Sequence, residues 1–165
     1  MSEFIKWFSI NYPELKKSLM ECNHNFDDKD INPYHIEGDC WSHTMMVCKI
    51  ADIENFSKIV QVAALLHDIA KPECRDTNPK KKFVYFTGHE EKSATMAKPI
   101  LENMVKDGLL EKDSIDDILT IIKLHGEVYK NLDSVKEKLK NSPKVLQYLL
   151  DLNKCDNLGR FNLSN

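Results

Sequence analysis

The sequence predicts an all-α protein, a single-domain helical bundle, and three observations carry that prediction. Alternating apolar and polar residues, the mark of a half-buried strand, are almost absent. Glycine (5) and proline (6) are sparse, which favours helices joined by short loops. Apolar residues recur at helical spacing along most of the chain. At 165 residues it is long enough to bury one hydrophobic core unaided.

The elements follow in order. Phe4 to Met20 shows helical spacing, and Pro13 starts a second segment rather than sitting mid-helix. Residues 21–40 read as an irregular stretch rich in Asn and Asp, with Pro33 and Gly38. A helix is predicted over Trp41 to Phe56, capped by Ser42. Ser57 caps the next, which runs to Ala70 and is stopped by Pro72. Its run Val62-Ala63-Ala64-Leu65-Leu66 is apolar nearly all round, so burial on several sides is expected. Phe83-Val84-Tyr85-Phe86 suggests a short extended piece over a site. Gly88 precedes a helix to Lys106, with Pro99 as a candidate kink. Asp113 or Ser114 caps a helix to Leu124, and two more are expected near 132–140 and 142–152. Asp156 and Arg160 then fall in the tail. Residues 1–32 are expected to form a helical extension packed on a core of 33–165.

Charge and cysteine usage narrow the function classes. Lys and Arg number 23 against 26 Asp and Glu, a formal net charge of −3, which argues against a broad nucleic-acid-coating surface. The lysine run Lys80-Lys81-Lys82 is one candidate for a local basic patch, and it reads as a solvated face. The start, Met1-Ser2-Glu3-Phe4-Ile5-Lys6, lacks the charged start and apolar core of a signal peptide. No run approaches the ~18 apolar residues a spanning helix needs. The five cysteines are odd in number and show no C-x-x-C spacing, which suggests neither a disulfide framework nor a zinc ribbon. Reduced thiols in the cytoplasm are the expectation.

The strongest local oddity is His67-Asp68, two titratable side chains closing a five-residue apolar run. A buried carboxylate without a partner costs several kcal/mol. A divalent cation removes that cost. Adjacent helical residues point about 100° apart, so both side chains can reach one ion. Imidazole with carboxylate suits Zn, Fe, Mn or Ni. Four of the six histidines, His43, His67, His89 and His125, stand at or near predicted helix ends.

Taken in order, Trp41-Ser42-His43-Thr44, Ala63 to Lys71 with His67-Asp68, Gly88-His89-Glu90-Glu91, Lys123-Leu124-His125 and Cys155-Asp156-Asn157-Leu158-Gly159-Arg160 resemble the HD-domain superfamily, whose order is H…HD…H…H…D. Tyr34-His35-Ile36-Glu37-Gly38-Asp39-Cys40-Trp41-Ser42-His43 resembles in particular the HD domain attached to bacterial CCA-adding tRNA nucleotidyltransferases. The resemblance covers residues 33–160. Ala70 replaces the family's usual glycine after His-Asp-Ile. Asp28-Lys29-Asp30 lacks the Gly-Ser turn and strand of a polymerase site and reads as a solvated loop. The Gly-Tyr-Pro signature of cyclic-dinucleotide-degrading relatives is missing.

The resemblance implies that His43, His67, Asp68 and Asp156 hold a first metal ion. His89 and His125 then complete a second site, with Asp68 bridging. One or two divalent ions (Mn, Fe, Ni, Co, Mg or Zn) are the implied cofactors. The implied function is a metal-dependent phosphohydrolase, a phosphomonoesterase or phosphodiesterase working through a metal-activated water. Its substrate would be a small phosphate ester or nucleotide, a 2′,3′-cyclic phosphate or an RNA 3′ end. Asp68 and Lys71 are the candidate catalytic residues. Lys71, four residues after His67, and Arg160, four after Asp156, share helical faces with ligands if the helices continue, and with Arg75 they are the candidate phosphate contacts. Glu90 or Glu91 would orient a ligand histidine. His35 and Glu37 carry no role derivable from sequence, and His24 is expected at the surface. The same ligands also suit a mixed-valent di-iron oxygenase, and the fold suits a non-catalytic nucleotide-binding module.

Overall fold

Apart from one isolated bridge between Asn23 and Asp39, regular structure among the described residues is entirely helical. The computed structural model describes residues 1–26, 32, 35–76, 78 and 83–160. Asp28-Lys29-Asp30, Pro33, Tyr34 and Lys80-Lys81-Lys82 lie outside them.

Helices α1 (Ser2–Asn11) and α2 (Pro13–Glu21) bury Phe4, Phe8 and Leu19 in the common core. Pro13 sits in the first turn of α2, where its missing N–H leaves nothing unpaired. Helix α3 (Cys40–Ile53) begins before the expected Trp41 because Asp39, not Ser42, is the cap. The Asp39 carboxylate accepts from Ser42 N at 2.8 Å and from the Ser42 hydroxyl at 2.7 Å. A carboxylate at a helix start also meets the positive end of the dipole.

Helix α4 (Lys58–Leu66) starts at the expected cap, Ser57, which accepts from Val60 N. It packs against α1 and α3 and against the later helices α6, α7 and α10, so Val60, Val62, Ala63, Ala64, Leu65 and Leu66 are all buried. Full burial of Leu65 and Leu66 contributes roughly 1.5–3 kcal/mol each. Unlike the expectation, α4 ends at Leu66 rather than Ala70. The chain tightens into a turn in which Ile69 N donates to Leu66 O (3.3 Å) and Lys71 N to Asp68 O (3.0 Å). Ala70 N donates to Ser93 Oγ, which ties the turn to a distant helix. Pro72 therefore does not end a helix; it lies in the first turn of α5 (Lys71–Cys74).

Residues 83–86 form no strand. Helix α6 (His89–Lys106) follows Gly88, whose φ of +79° only glycine adopts without strain, and it runs unbroken past Pro99. A single 3₁₀ turn (Lys112–Ser114) leads to α7 (Ile115–Leu124), followed by α8 (Glu127–Lys130), α9 (Leu132–Lys138) and α10 (Pro143–Leu158). Helix α10 outlasts its expected end near 152 because Leu149, Leu152 and Cys155 keep one face buried, so Asp156 is on a helix rather than in a tail.

Gly159 lets the end of α10 touch α3. A Cβ added there would stand 2.7 Å from Val47 Cγ2 and 2.8 Å from Val47 N. Gly159→Ala is expected to cost roughly 1–3 kcal/mol by overpacking, read as a lower urea midpoint at unchanged m.

Candidate metal centre

Four helix ends and one helix face deliver six side chains to one buried point. His43 comes from the first turns of α3, His67 and Asp68 from the turn after α4, His89 from the start of α6, His125 from just past α7, and Asp156 from α10. Asp68 is the hub. Its Oδ2 is 3.2 Å from His67 Nε2 and 3.7 Å from His43 Nε2. Its Oδ1 is 3.2 Å from His89 Nε2 and 3.8 Å from His125 Nε2. His43 Nε2 in turn meets Asp156 Oδ1 at 3.0 Å, and the Nε2 atoms of His89 and His125 stand 3.3 Å apart. The donors thus form two groups, His43, His67 and Asp156 on one side and His89 and His125 on the other, with one Asp68 oxygen turned to each.

Three of the four imidazoles are tethered by a hydrogen bond through the other nitrogen. His67 Nδ1 donates to Ala64 O (2.9 Å), His89 Nδ1 to Phe86 O (2.8 Å) and His125 Nδ1 to Ile122 O (2.6 Å). His43 Nδ1 faces Glu37 Oε1 at 3.0 Å. The three bonds to backbone carbonyls put a proton on Nδ1, so that in the neutral ring Nε2 carries the lone pair and faces the centre, the usual arrangement around ligating histidines.

The donor set fits a divalent cation. His67 Nε2 and both Asp68 oxygens are buried without a well-aligned hydrogen bond, a costly state that an ion relieves. Spacings of 3.0–3.8 Å are those of donors sharing an ion at ~2.0–2.2 Å. Burial opposes the charged form of Asp68, yet the charges of His67 and Lys71 hold its carboxyl well below the usual range. Asp156 is also held low against its burial, by His43 and Arg160. Burial works against a charged His43, but Asp156 and Glu37 keep it above its ordinary value. His89 is raised against burial by Asp68. His125 is pushed down to about 4, by burial first and then by the His67 charge.

A cavity of about 240 Å³ opens beside the centre, bordered by Asp68, Lys71, His89, His125, Tyr129, Asp156 and Arg160. Lys71 Nζ lies 2.7 Å from Asp68 Oδ2. Arg160 donates to both Asp156 oxygens, one of them through Nε at 3.2 Å. Tyr129 donates to Asp156 Oδ2 at 2.6 Å.

The family model for the HD domain matches residues 40–158, a span that holds all six converging side chains. The chain belongs to the HD-domain family. That family is one of metal-dependent phosphohydrolases, and its presence implies divalent-metal binding. The chain is 31% identical over 147 residues to the Multifunctional CCA protein of Methylobacillus flagellatus, covering 89% of this chain and 32% of that one. It is 31% identical over 100 residues to the Multifunctional CCA protein of Burkholderia orbicola, covering 61% and 22%. It therefore spans about a third or less of these relatives' length. No solved structure gives a significant match. Among the described residues no helix is long and apolar enough to cross a membrane.

Around the HD centre, other sequence expectations divide. Lys71 reaches the cavity although α4 does not continue to it; the turn, not a shared helical face, places it there. Glu90 Oε2 is 3.4 Å from His89 Nδ1. Glu91 instead pairs with Lys123 at 2.9 Å on the surface and meets no histidine. Arg75 is turned away from the cavity, its Nε and Nη2 donating to the carbonyls of Asn23 (3.0 Å) and Asn25 (2.8 Å). His24 is not a surface residue; it is 1% exposed. Glu37 acquires a role, joining His35 Nδ1 (2.7 Å) to His43. Nothing in the sequence singles out Tyr129 or Ser93 beyond their positions four residues past His125 and His89.

Proposed function

We propose that this HD domain is a phosphohydrolase that cleaves a small phosphate ester, on a nucleotide, a 2′,3′-cyclic phosphate or an RNA 3′ end. The observation that carries the reading is the division of Asp68 between two groups of donors, with the Lys71 and Arg160 side chains at the adjoining cavity. His43, His67, Asp68 and Asp156 would hold one divalent ion, and Asp68, His89 and His125 a second. Bound there, such ions supply Lewis acidity and an activated water for in-line displacement at phosphorus.

The chain's own residues do the rest. Lys71 carries a positive charge to the cavity wall, where phosphoryl oxygens gather charge as the ester breaks. Arg160 presents a guanidinium from the opposite end of the chain, suited to bidentate phosphate contact. Tyr129 holds Asp156 Oδ2 and keeps that carboxylate turned inward. The site's burial excludes bulk water and strengthens each of these contacts. The names of the relatives, and the resemblance of residues 34–43 to the HD domain of CCA-adding enzymes, support an RNA end or a nucleotide as substrate. A cytoplasmic location agrees with the cysteine usage.

The test is turnover of a panel of mononucleotides, 2′,3′-cyclic nucleotides and 3′-phosphorylated oligonucleotides with Mn, Ni, Co or Mg added. Hydrolysis of one class that ceases on chelation is expected. A metal-loaded protein inert across the panel overturns the reading, and oxygen uptake by an iron-loaded sample would replace it with an oxygenase.

A further inference from the structure

The segment ahead of the family match places a buried side chain against the site. His24 Nδ1 donates to Gly38 O at 2.9 Å. That bond leaves Nε2 as an acceptor, and it lies 3.1 Å from Lys71 Nζ. The His24 ring is stacked on His35 at 4.1 Å and meets Phe86 edge-on at 5.5 Å. Lys71 Nζ also sits 2.7 Å from Asp68 Oδ2 and 5.2 Å from the centre of the Phe86 ring. A lysine head on a flexible four-carbon stem is thus held from three directions.

The loop that carries His24 is itself fastened. His24 N donates to Gly38 O (2.8 Å), and Cys40 N donates to Cys22 O (2.9 Å). Arg75 grips the carbonyls on either side, those of Asn23 and Asn25. Arg75 thus fastens the loop and does not line the cavity.

We propose that His24 is a positioning residue that holds the Lys71 ammonium at the cavity wall, so that the loop ahead of the family match takes part in the working site. This assignment rests on the phosphohydrolase reading, in which Lys71 meets phosphoryl oxygens. Burial, and next the Lys71 charge, push His24 down to about 2, consistent with a neutral ring that accepts from Lys71.

The experiment measures binding of inorganic phosphate to manganese-loaded protein by calorimetry, beside kcat and KM on the best ester of the panel. His24→Asn keeps an amide for Gly38 O but is too short to reach Lys71. His24→Gln places its amide oxygen near the position of Nε2. Melting temperatures confirm that each variant is folded. His24→Asn is expected to weaken phosphate binding about tenfold, and His24→Gln to stay within roughly threefold of wild type. In a Lys71→Ala background His24→Asn is expected to add no further loss, since both act through one ammonium. Losses that simply add, or a His24→Asn protein that binds like wild type, overturn this assignment and leave the phosphohydrolase reading standing. A wild type that neither binds phosphate nor cleaves an ester overturns both.

Discussion

Asp68→Ala is expected to strip metal from both halves of the centre and to lower ester turnover by at least about a thousandfold. Its Oδ2 faces His43 and His67 while its Oδ1 faces His89 and His125, so its loss removes a carboxylate oxygen from each group. His125→Ala should instead spare the half built on His43, His67 and Asp156. Elemental analysis after dialysis checks this; an Asp68→Ala protein that keeps its full metal content would sink the bridging role. The same substitution strands Lys71, which is 6% exposed and loses its buried counter-charge. Adding Lys71→Met should therefore recover much of the lost stability without recovering metal, which separates the two effects in a thermal melt.

Manganese added to metal-free protein is expected to raise the melting temperature, and by more at pH 8 than at pH 6. At a hundred times Kd the ion contributes about 2.7 kcal/mol. For a chain of this length that is roughly 5–10 °C. The pH trend follows from His43 and His89, whose values in the fold lie above the ordinary 6.5. In metal-free protein their stabilisation is fully present below the unfolded value and fades as pH rises through the folded values. Metal binding needs the neutral rings, so it strengthens over the same interval. Asp68 and Asp156, held low, act with the opposite sign: their contribution is present above about pH 4 and is lost as pH falls through lower values. A melting gain that stays flat from pH 6 to 8 would refute the assignment of His43 and His89 as ligands.

Much of this was legible in the sequence, and for physical reasons. Helical spacing exposes itself locally, so α4 could be read as a buried hub from Val62 to Leu66 alone. The six positions that converge were legible because their pieces stand in an order the family shares, several beside a local signal such as an apolar run, a glycine or a helix end. What stayed hidden depends on partners far along the chain. The early end of α4 rests on a bond from Ala70 to Ser93. The burial of His24 rests on Lys71, and the grip of Arg75 on carbonyls some fifty residues earlier. No periodicity records such pairings. Asp156 was misplaced because α10 continues past the point where its apolar pattern thins.

Three of the converging imidazoles hand Nδ1–H to a carbonyl three residues behind them, at Ala64, Phe86 and Ile122. The choice of proton position is therefore made inside one turn of backbone as the chain folds, before any ion arrives. Once the rings are neutral, an incoming cation meets lone pairs that need no reorientation, so the selection among metals falls to ion size and ligand softness rather than to rearrangement of the protein. A pliable centre would accommodate misfits; one whose rings are locked by their own backbone rejects them.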